Sequence, residues 1–352
     1  MTGSSTDGRL VDAYDLVVFD LDGVIYLVDR PIETAVAAVS RLYAEGRPLT
    51  YATNNASRRA AEVATLLTGM GLSARPDEVL TSARAAAEVL AERFPADSAV
   101  LVVGAEALRA EVRTVGLRPV SRFEDAPVAV VQGYGPQVGW ADLAEAALAV
   151  RAGAEWIATN TDRTLPTPRG PVPGNGSLVA VLRTALQREP DLVVGKPGPA
   201  LFSTAARRTG ATRPLTVGDR LDTDIEGAVR AGMDSLLVLT GVSTPTDLLH
   251  APAHARPTYV AETLEGLFDP AGVARLPGPT SPPYPAGATG WQVTREQTTG
   301  LLAGSGSRLE ALRALCAESW SAEGPLEAVR PAGQEARQAL EALGLLRTSA
   351  PA

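Results

Sequence analysis

Cysteine is nearly missing from this 352-residue chain: Cys316 stands alone. No internal disulfide is available, and nothing asks for an oxidising compartment. Basic charge is also short. The formal net charge is −8, which argues against a nucleic-acid or anionic-membrane partner, since both need a basic face. No apolar run approaches the ~20 residues that span a bilayer. The opening Met1-Thr2-Gly3-Ser4-Ser5-Thr6-Asp7-Gly8-Arg9 lacks an apolar signal core. These absences lead us to expect a cytoplasmic protein. What is present suits ordinary cores, with 45% hydrophobic and 20% charged residues. The length leaves room for two domains and a small addition.

Two further scarcities are more pointed. Of the 32 Lys and Arg residues only Lys196 is lysine, and Asn54, Asn55, Asn160 and Asn175 are the only asparagines. Such a bias looks like that of a GC-rich genome, which swaps Lys for Arg wherever charge alone matters. A lysine kept against that drift does something a planar guanidinium cannot.

Along the chain, short apolar runs alternate with amphipathic stretches. Asp15–Asp20 reads as a buried parallel strand, and Ile32, Val36, Val39 and Leu42 recur at helical spacing up to Gly46. Leu49–Thr53 is a second strand, followed by a helix through Val63, Leu67 and Met70. From about residue 82 the pattern restarts, with a helix over Ala85–Arg93 and strands at Ala99–Val103, Val128–Val131 and Trp156–Thr159. After the loop Pro166–Gly176 and a helix through Leu178–Leu186, the first pattern resumes. Its strands are expected at Leu192–Val194, Leu215–Val217 and Leu236–Leu239. One α/β unit inserted in another fits this order, and so does a tandem. Leu276–Pro285 is a linker by composition. Beyond it lie roughly 60 residues whose Ala, Leu, Glu and Arg content predicts helix, too few for a large core of their own.

Four clusters could carry chemistry. Asp20-Leu21-Asp22-Gly23 ends the first strand, where alternate residues point the same way. Two carboxylates this close repel unless a cation or shared proton relieves them, although such a run also makes plain turns. Thr53-Asn54-Asn55 ends the second strand and opens a helix, a seat for an anion or an ordinary cap by Asn55 or Ser57. Gly195-Lys196-Pro197 follows a strand, and Gly218-Asp219-Arg220-Leu221-Asp222-Thr223-Asp224 ends another. All four fall at carboxyl ends of strands, where open α/β sheets bind ligands. Carboxylates for a hard cation, with a lysine, a hydroxyl and a helix N-terminus, make a phosphoryl-transfer site.

In order and wording these four motifs resemble those of haloacid dehalogenase superfamily phosphatases. Their spacing is similar to the branch with a type-II cap between the second and third motifs. Ala158-Thr159-Asn160-Thr161-Asp162 and Pro173-Gly174-Asn175-Gly176-Ser177 look like that branch's cap. The resemblance covers about residues 14–270. It implies a Rossmann-like parallel-sheet core (1–81 plus 187–275) with an inserted α/β cap domain (82–186). A linker (276–290) and a small C-terminal helical or α+β extension (291–352) complete the expected α/β architecture. The resemblance makes Asp20 the nucleophile that takes up phosphate, and Asp22 the acid that protonates the leaving oxygen and then the base that activates water. Mg²⁺ is expected on Asp20, the main-chain carbonyl of Asp22, and Asp219. Thr53, Asn54 and Lys196 are expected at the phosphate, with Asp224 orienting metal waters or Lys196.

Substrate choice falls to the cap by the same resemblance, with Asn55, Asn160, Asp162 and Leu165 at the substrate. Leu165 stands where pyridoxal-phosphate phosphatases carry a histidine, as in phosphoglycolate and glycerol-3-phosphate phosphatases. With its extension, the chain most resembles bacterial glycerol-3-phosphate phosphatases of this cap type. The expected reaction is therefore hydrolysis of a small phosphomonoester, glycerol 3-phosphate first, with phosphoglycolate or a nucleotide monophosphate as alternatives. A homodimer through the cap or the C-terminal region is left open. The extension of such proteins has been likened to part of an acetyltransferase fold, but no Gly-rich acyl-CoA loop is visible and acetyl transfer is not expected. A receiver-like signalling module phosphorylated on Asp20 is the competing class. Asp22 and the large insertion argue against it, because a signalling acyl-phosphate must be long-lived.

Other signals are weak. His250 and His254 have metal-like spacing, but Pro252 between them breaks a helical pair. No G-x-x-x-x-G-K-[ST] or G-x-S-x-G is present, and Gly304-Ser305-Gly306 lacks the third glycine and the strand context of a dinucleotide site. Cys316 reads as a packed side chain.

Overall fold

Unbroken apolar runs become buried strands in the computed structural model, which describes residues 8–28, 30–165, 169–278 and 290–346. Met1–Asp7, Pro166 and most of the Pro-rich linker lie outside the described residues. The chain divides into two compact units, Met1–Pro48 with Thr212–Ala352, and Leu49–Ala211.

In the first unit, Leu16–Phe19 is buried throughout and pairs in parallel with Pro214–Gly218, setting Phe19 opposite Val217. Asp234–Val238 and Tyr259–Ala261 follow in parallel, and Val273–Arg275 closes that edge antiparallel. Helix Glu33–Ala44 buries Ala35, Ala38, Val39 and Leu42, one face of a 3.6-residue period. The chain leaves it through Gly46, whose φ of +64° suits a residue without a side chain.

The second unit holds the parallel pair Leu49–Thr53 and Val79–Thr81. It also holds a parallel sheet in the order Leu192–Val193, Glu155–Ala158, Ala129–Gln132, Ala99–Val103, Arg118–Val120. Its core gathers Leu101, Val103, Val130, Trp156 and Leu182. The strand expected to reopen the first pattern at Leu192 therefore pairs with Ile157 and Ala158 instead. Two residues make a strand too short to signal its partner, since both sheets are parallel and want the same apolar run.

The C-terminal extension departs from the helical reading of its composition. Trp291–Glu296 and Thr299–Gly304 form an antiparallel hairpin, Ala328–Pro331 adds in parallel, and helices Arg308–Ser319 and Gln334–Ala342 cover them. Along the hairpin burial alternates with period two, a pattern that residue frequencies average away. Leu302, Leu312, Leu315 and Leu340 share one hydrophobic core with Leu237, Leu248, Leu249, Val260 and Leu276. The glycine turn also differs from expectation. Gly304 ends a strand, and Ser307 caps the next helix, accepting from Glu310 N–H at 3.2 Å. Trp291 fills the turn, its indole N–H donating to Ser307 O at 2.9 Å. A side chain at Gly306 would lie 3.0 Å from that nitrogen. The glycines serve packing.

Candidate active site

Asp20 and Asp219 each follow directly on a strand, and those strands are parallel neighbours, so both residues leave the sheet at its carboxyl edge. Asp20 N–H donates to Val217 O at 2.9 Å, which fixes the register at that edge. Asp224 sits on a π-helical turn over Leu221–Ile225, a local widening that often marks functional sites. Carboxylate oxygens of Asp20, Asp219 and Asp224 lie within 4.8 Å of one another. Asp219 and Asp224 are each only 1% exposed.

Glycines make this crowding feasible. A Cβ at Gly23, at Gly241 or at Gly218 would stand 2.3 Å or less from an atom of Asp219 or Asp224. Asp219 Oδ2 accepts from Val242 N–H at 2.7 Å, Asp219 O accepts from Ser243 N–H at 3.0 Å, and Asp224 Oδ2 accepts from Arg220 N–H at 3.1 Å. These backbone donors ease the crowding of like charges, and a divalent cation eases it further. Oxygen-only donors suit Mg²⁺, so the residues present fit such an ion.

The neighbouring acids differ. Asp22 is exposed, with Tyr26 Oη 3.5 Å from its Oδ2. Asp222 faces away into the Arg220 fork, at 3.0 and 2.8 Å, and those bonds hold its carboxyl below the usual range. His250 Nδ1 lies 2.7 Å from Thr246 O and His254 stands 4.0 Å from Glu226. The two histidines form no pair. Among the described residues the three aspartates are the one acidic or histidine group with metal-ligand spacing. Cys316 is wholly buried, and burial raises its thiol pKa well above the usual range.

In the second unit the scarce residues meet. Lys196 is 4% exposed, and its ammonium donates to Ala52 O at 3.4 Å. Asn54 grips the lysine's main chain from both sides: Oδ1 accepts Lys196 N–H at 2.8 Å and Nδ2 donates to Lys196 O at 3.1 Å. The same Nδ2 reaches Asp162 at 3.2 and 3.3 Å. Asn54 O accepts from Ser82 Oγ at 2.6 Å and from Asn160 Nδ2 at 2.7 Å. Asn175 Nδ2 donates to Asn160 O at 2.7 Å and Gln132 O at 3.2 Å. Three of the four asparagines thus join Lys196 in one chain of hydrogen bonds. A buried amide donates and accepts without bringing charge, which a carboxylate cannot do. Gly195 is required here, since a Cβ would fall 2.6 Å from Asn54 Oδ1.

The remaining expected residues are local. Asn55 N–H donates to Thr53 Oγ1 at 3.1 Å, and Asn55 Oδ1 accepts from Ser57 N–H and Oγ at 2.8 and 2.9 Å. That side-chain turn holds the chain out of a helix until Ala60, so the helix expected to open beside Thr53 starts later. Leu165 is half-buried in a two-residue hairpin, opposite Val172. Sequence reasoning passed over Ser82 and Gln132. It also missed the loop Gly241–Thr244, although that loop follows the strand expected at Leu236–Leu239, at the same sheet edge as Asp20 and Asp219.

An aspartate that opens an acidic, cation-ready cluster at the carboxyl edge of an α/β sheet defines a class of hydrolase, and the chain belongs to it: it is a haloacid dehalogenase-like hydrolase. The family model of that description matches residues 17–118, and an HAD-hydrolase-like model matches 193–267. A GCN5-related N-acetyltransferase like domain model matches 288–345, in the mixed α/β extension. The chain is 44% identical to D-glycerol 3-phosphate phosphatase of Mycobacterium tuberculosis, over 97% of each protein. It is 36% identical to the acid sugar phosphatase of Staphylococcus aureus, over 70% of this chain and 93% of that one. It is also similar to the crystal structure of glycerol phosphate phosphatase from Mycobacterium tuberculosis in complex with magnesium. There the TM-score is 0.86 at 43% identity, covering 96% of this chain and 100% of that one.

Proposed function

We propose that this chain is a Mg²⁺-dependent phosphomonoester hydrolase that cleaves glycerol 3-phosphate through an aspartyl-phosphate on Asp20. The observation that carries the reading is the carboxylate trio within 4.8 Å, in a chain 44% identical to a D-glycerol 3-phosphate phosphatase. In this reading Asp20, Asp219 and the carbonyl of Asp22 hold the ion, and Asp224 steadies them. When bound, Mg²⁺ supplies positive charge for the phosphoryl oxygens and for the crowded carboxylates.

The chain's own groups do the rest. A carboxylate oxygen of Asp20 attacks phosphorus while the bond to the glycerol oxygen breaks, and Asp22 gives that leaving oxygen its proton. Asp22 then takes a proton from water, whose oxygen attacks phosphorus, releasing phosphate and restoring the Asp20 carboxylate. Thr53 and Lys196 hold the phosphoryl oxygens, and Asn54 holds the Lys196 main chain in place. Residues 82–186 act as the cap that excludes competing water, with Asn55, Asn160, Asp162 and Leu165 towards the substrate.

The test is phosphate release from glycerol 3-phosphate, phosphoglycolate, a nucleoside monophosphate and p-nitrophenyl phosphate, with and without a chelator. Glycerol 3-phosphate should lead in kcat/KM by roughly tenfold or more, and the chelator should stop all release. Chelator-resistant turnover would sink the metal reading, and a higher value for phosphoglycolate would replace the substrate. The proposal extends to a cytoplasmic setting, supported by the lone buried Cys316. It extends also to a homodimer, supported by Trp140, 82% exposed at the start of helix Trp140–Arg151, and tested by light scattering.

A further inference from the structure

The loop that holds Asp219 runs without a break into helix Pro245–Leu249. Val242 N–H and Ser243 N–H both bond Asp219, and Ser243 Oγ accepts from Leu221 N–H at 3.0 Å on the turn that carries Asp224. Thr244 caps the helix by exchanging bonds with Asp247, at 2.8 and 3.2 Å. Five residues cannot hold a helix by themselves, so its position comes from what it packs on.

What it packs on is the C-terminal extension. Ser319 Oγ donates to Leu249 O at 2.6 Å and the Trp320 indole donates to Leu248 O at 3.1 Å. These meet carbonyls at the end of the helix, where intrahelical donors run out. Ser319 is 2% exposed, and its Oγ accepts from Leu326 N–H at 3.0 Å. Leu248 and Leu249 share a core with Leu312 and Leu315 of helix Arg308–Ser319, and Leu221 and Ile225 of the π turn belong to that same core. The Gly241–Thr244 loop, through the helix it leads into, thus rests on the extension, and the Leu221–Ile225 turn shares the same core.

We infer that the extension, through Ser319 and Trp320, is a positioning module for the metal site that sets how tightly the site binds Mg²⁺. Losing a group that orients a ligand typically costs about 10- to 100-fold in metal affinity. The inference rests on reading Asp219 as a metal ligand, and the experiment separates the two.

Calorimetric titration of the full chain with Mg²⁺, without substrate, reads affinity directly. If the unmodified chain takes up no Mg²⁺, the metal reading fails, and this inference with it. Once uptake is seen, Ser319→Ala should bind about three- to tenfold more weakly, somewhat less than the change expected for a direct partner of a ligand. Trp320→Phe, which keeps an aromatic ring but loses the indole donor and part of the surface under Arg256, should show a smaller drop in the same direction and carries the test if Ser319→Ala does not fold. Ser319→Thr, which keeps the hydroxyl, should bind like wild type. For Ser319→Ala, kcat at saturating Mg²⁺ should stay within about twofold of wild type. Leu340→Ala is the control: Leu340 is buried on the helix Gln334–Ala342, and its loss should lower the melting temperature without changing Mg²⁺ affinity. Wild-type affinity in both Ser319→Ala and Trp320→Phe, or an equal loss in Leu340→Ala, overturns the inference.

Discussion

The two polar clusters are built by opposite means. In the first unit carboxylates crowd together, glycines make the room, and the oxygen donors suit a divalent cation. In the second, amides knit a lysine into its surroundings with bonds of 2.6 to 3.3 Å, and most of its polar atoms find partners in the same unit, Asn175 Oδ1 and Gln132 Nε2 being buried without one. One is limited by space and charge, the other by matching donors to acceptors. The first should tolerate loss of charge in folding but not added volume. The second should tolerate neither a change of donor count nor a new charge.

Removing the nucleophile gives the largest effect. Asp20→Asn should cut phosphate release by about 10⁴-fold or more and leave circular dichroism unchanged. Retained Mg²⁺-dependent turnover would remove the covalent step. Next is volume. Gly23→Ala places a Cβ 2.3 Å from Asp219 Oδ2, at a φ of +83° that disfavours any side chain. Mg²⁺ affinity should fall by roughly 10- to 100-fold, the range for a disturbed ligand, and unchanged binding by calorimetry would show that the glycine is not holding space for Asp219.

Charge is the weakness of the other cluster. Asn54→Asp removes the donor to Lys196 O and sets a carboxylate against Asp162, so kcat should drop by about 10- to 100-fold, the cost of losing a part-buried hydrogen bond to the lysine and adding a like charge beside Asp162. Asp162→Asn added to it returns a donor to the pair, and the double variant should recover part of the lost kcat. A double variant that is simply the product of its parts would mean that the two side chains act independently.

Much of this was legible in the residues. Asp20, Asp219 and Lys196 stand out because chemistry at a strand end leaves short motifs, and composition leaves one lysine where Arg is the rule. The longer elements up to about Leu186 follow from periodicity, since strands and helices of four residues or more imprint it on the sequence, while the short strands Val79–Thr81 and Arg118–Val120 left no such mark. What was not legible is pairing. Leu192–Val193 could join either parallel sheet, and only neighbours beyond the local window choose between them. The extension's hairpin was masked because Trp291–Gly304 alternates in burial while its surroundings are rich in helix formers. The Gly241–Thr244 loop was hidden for another reason: it bonds Asp219 through main-chain N–H groups, and a backbone donor carries no residue signature.

The smallest effect tests whether the second unit also chooses the substrate. Gly174 and Gly176 bring helix Asn175–Leu186 so close to Thr161–Thr164 that Cβ atoms there would fall 2.5 Å from Asp162 O and 2.1 Å from Thr161 O. The loop before Leu165 is therefore clamped by backbone, and a new side chain at 165 alters chemistry without moving the loop. Leu165→His should shift the ratio of kcat/KM for glycerol 3-phosphate over p-nitrophenyl phosphate by about tenfold, the scale on which one pocket side chain discriminates. Activity on the aryl phosphate should stay within about twofold, because phosphate-reading groups are untouched. Equal loss on both substrates would assign selectivity elsewhere and leave the amide cluster with one task, holding the lysine.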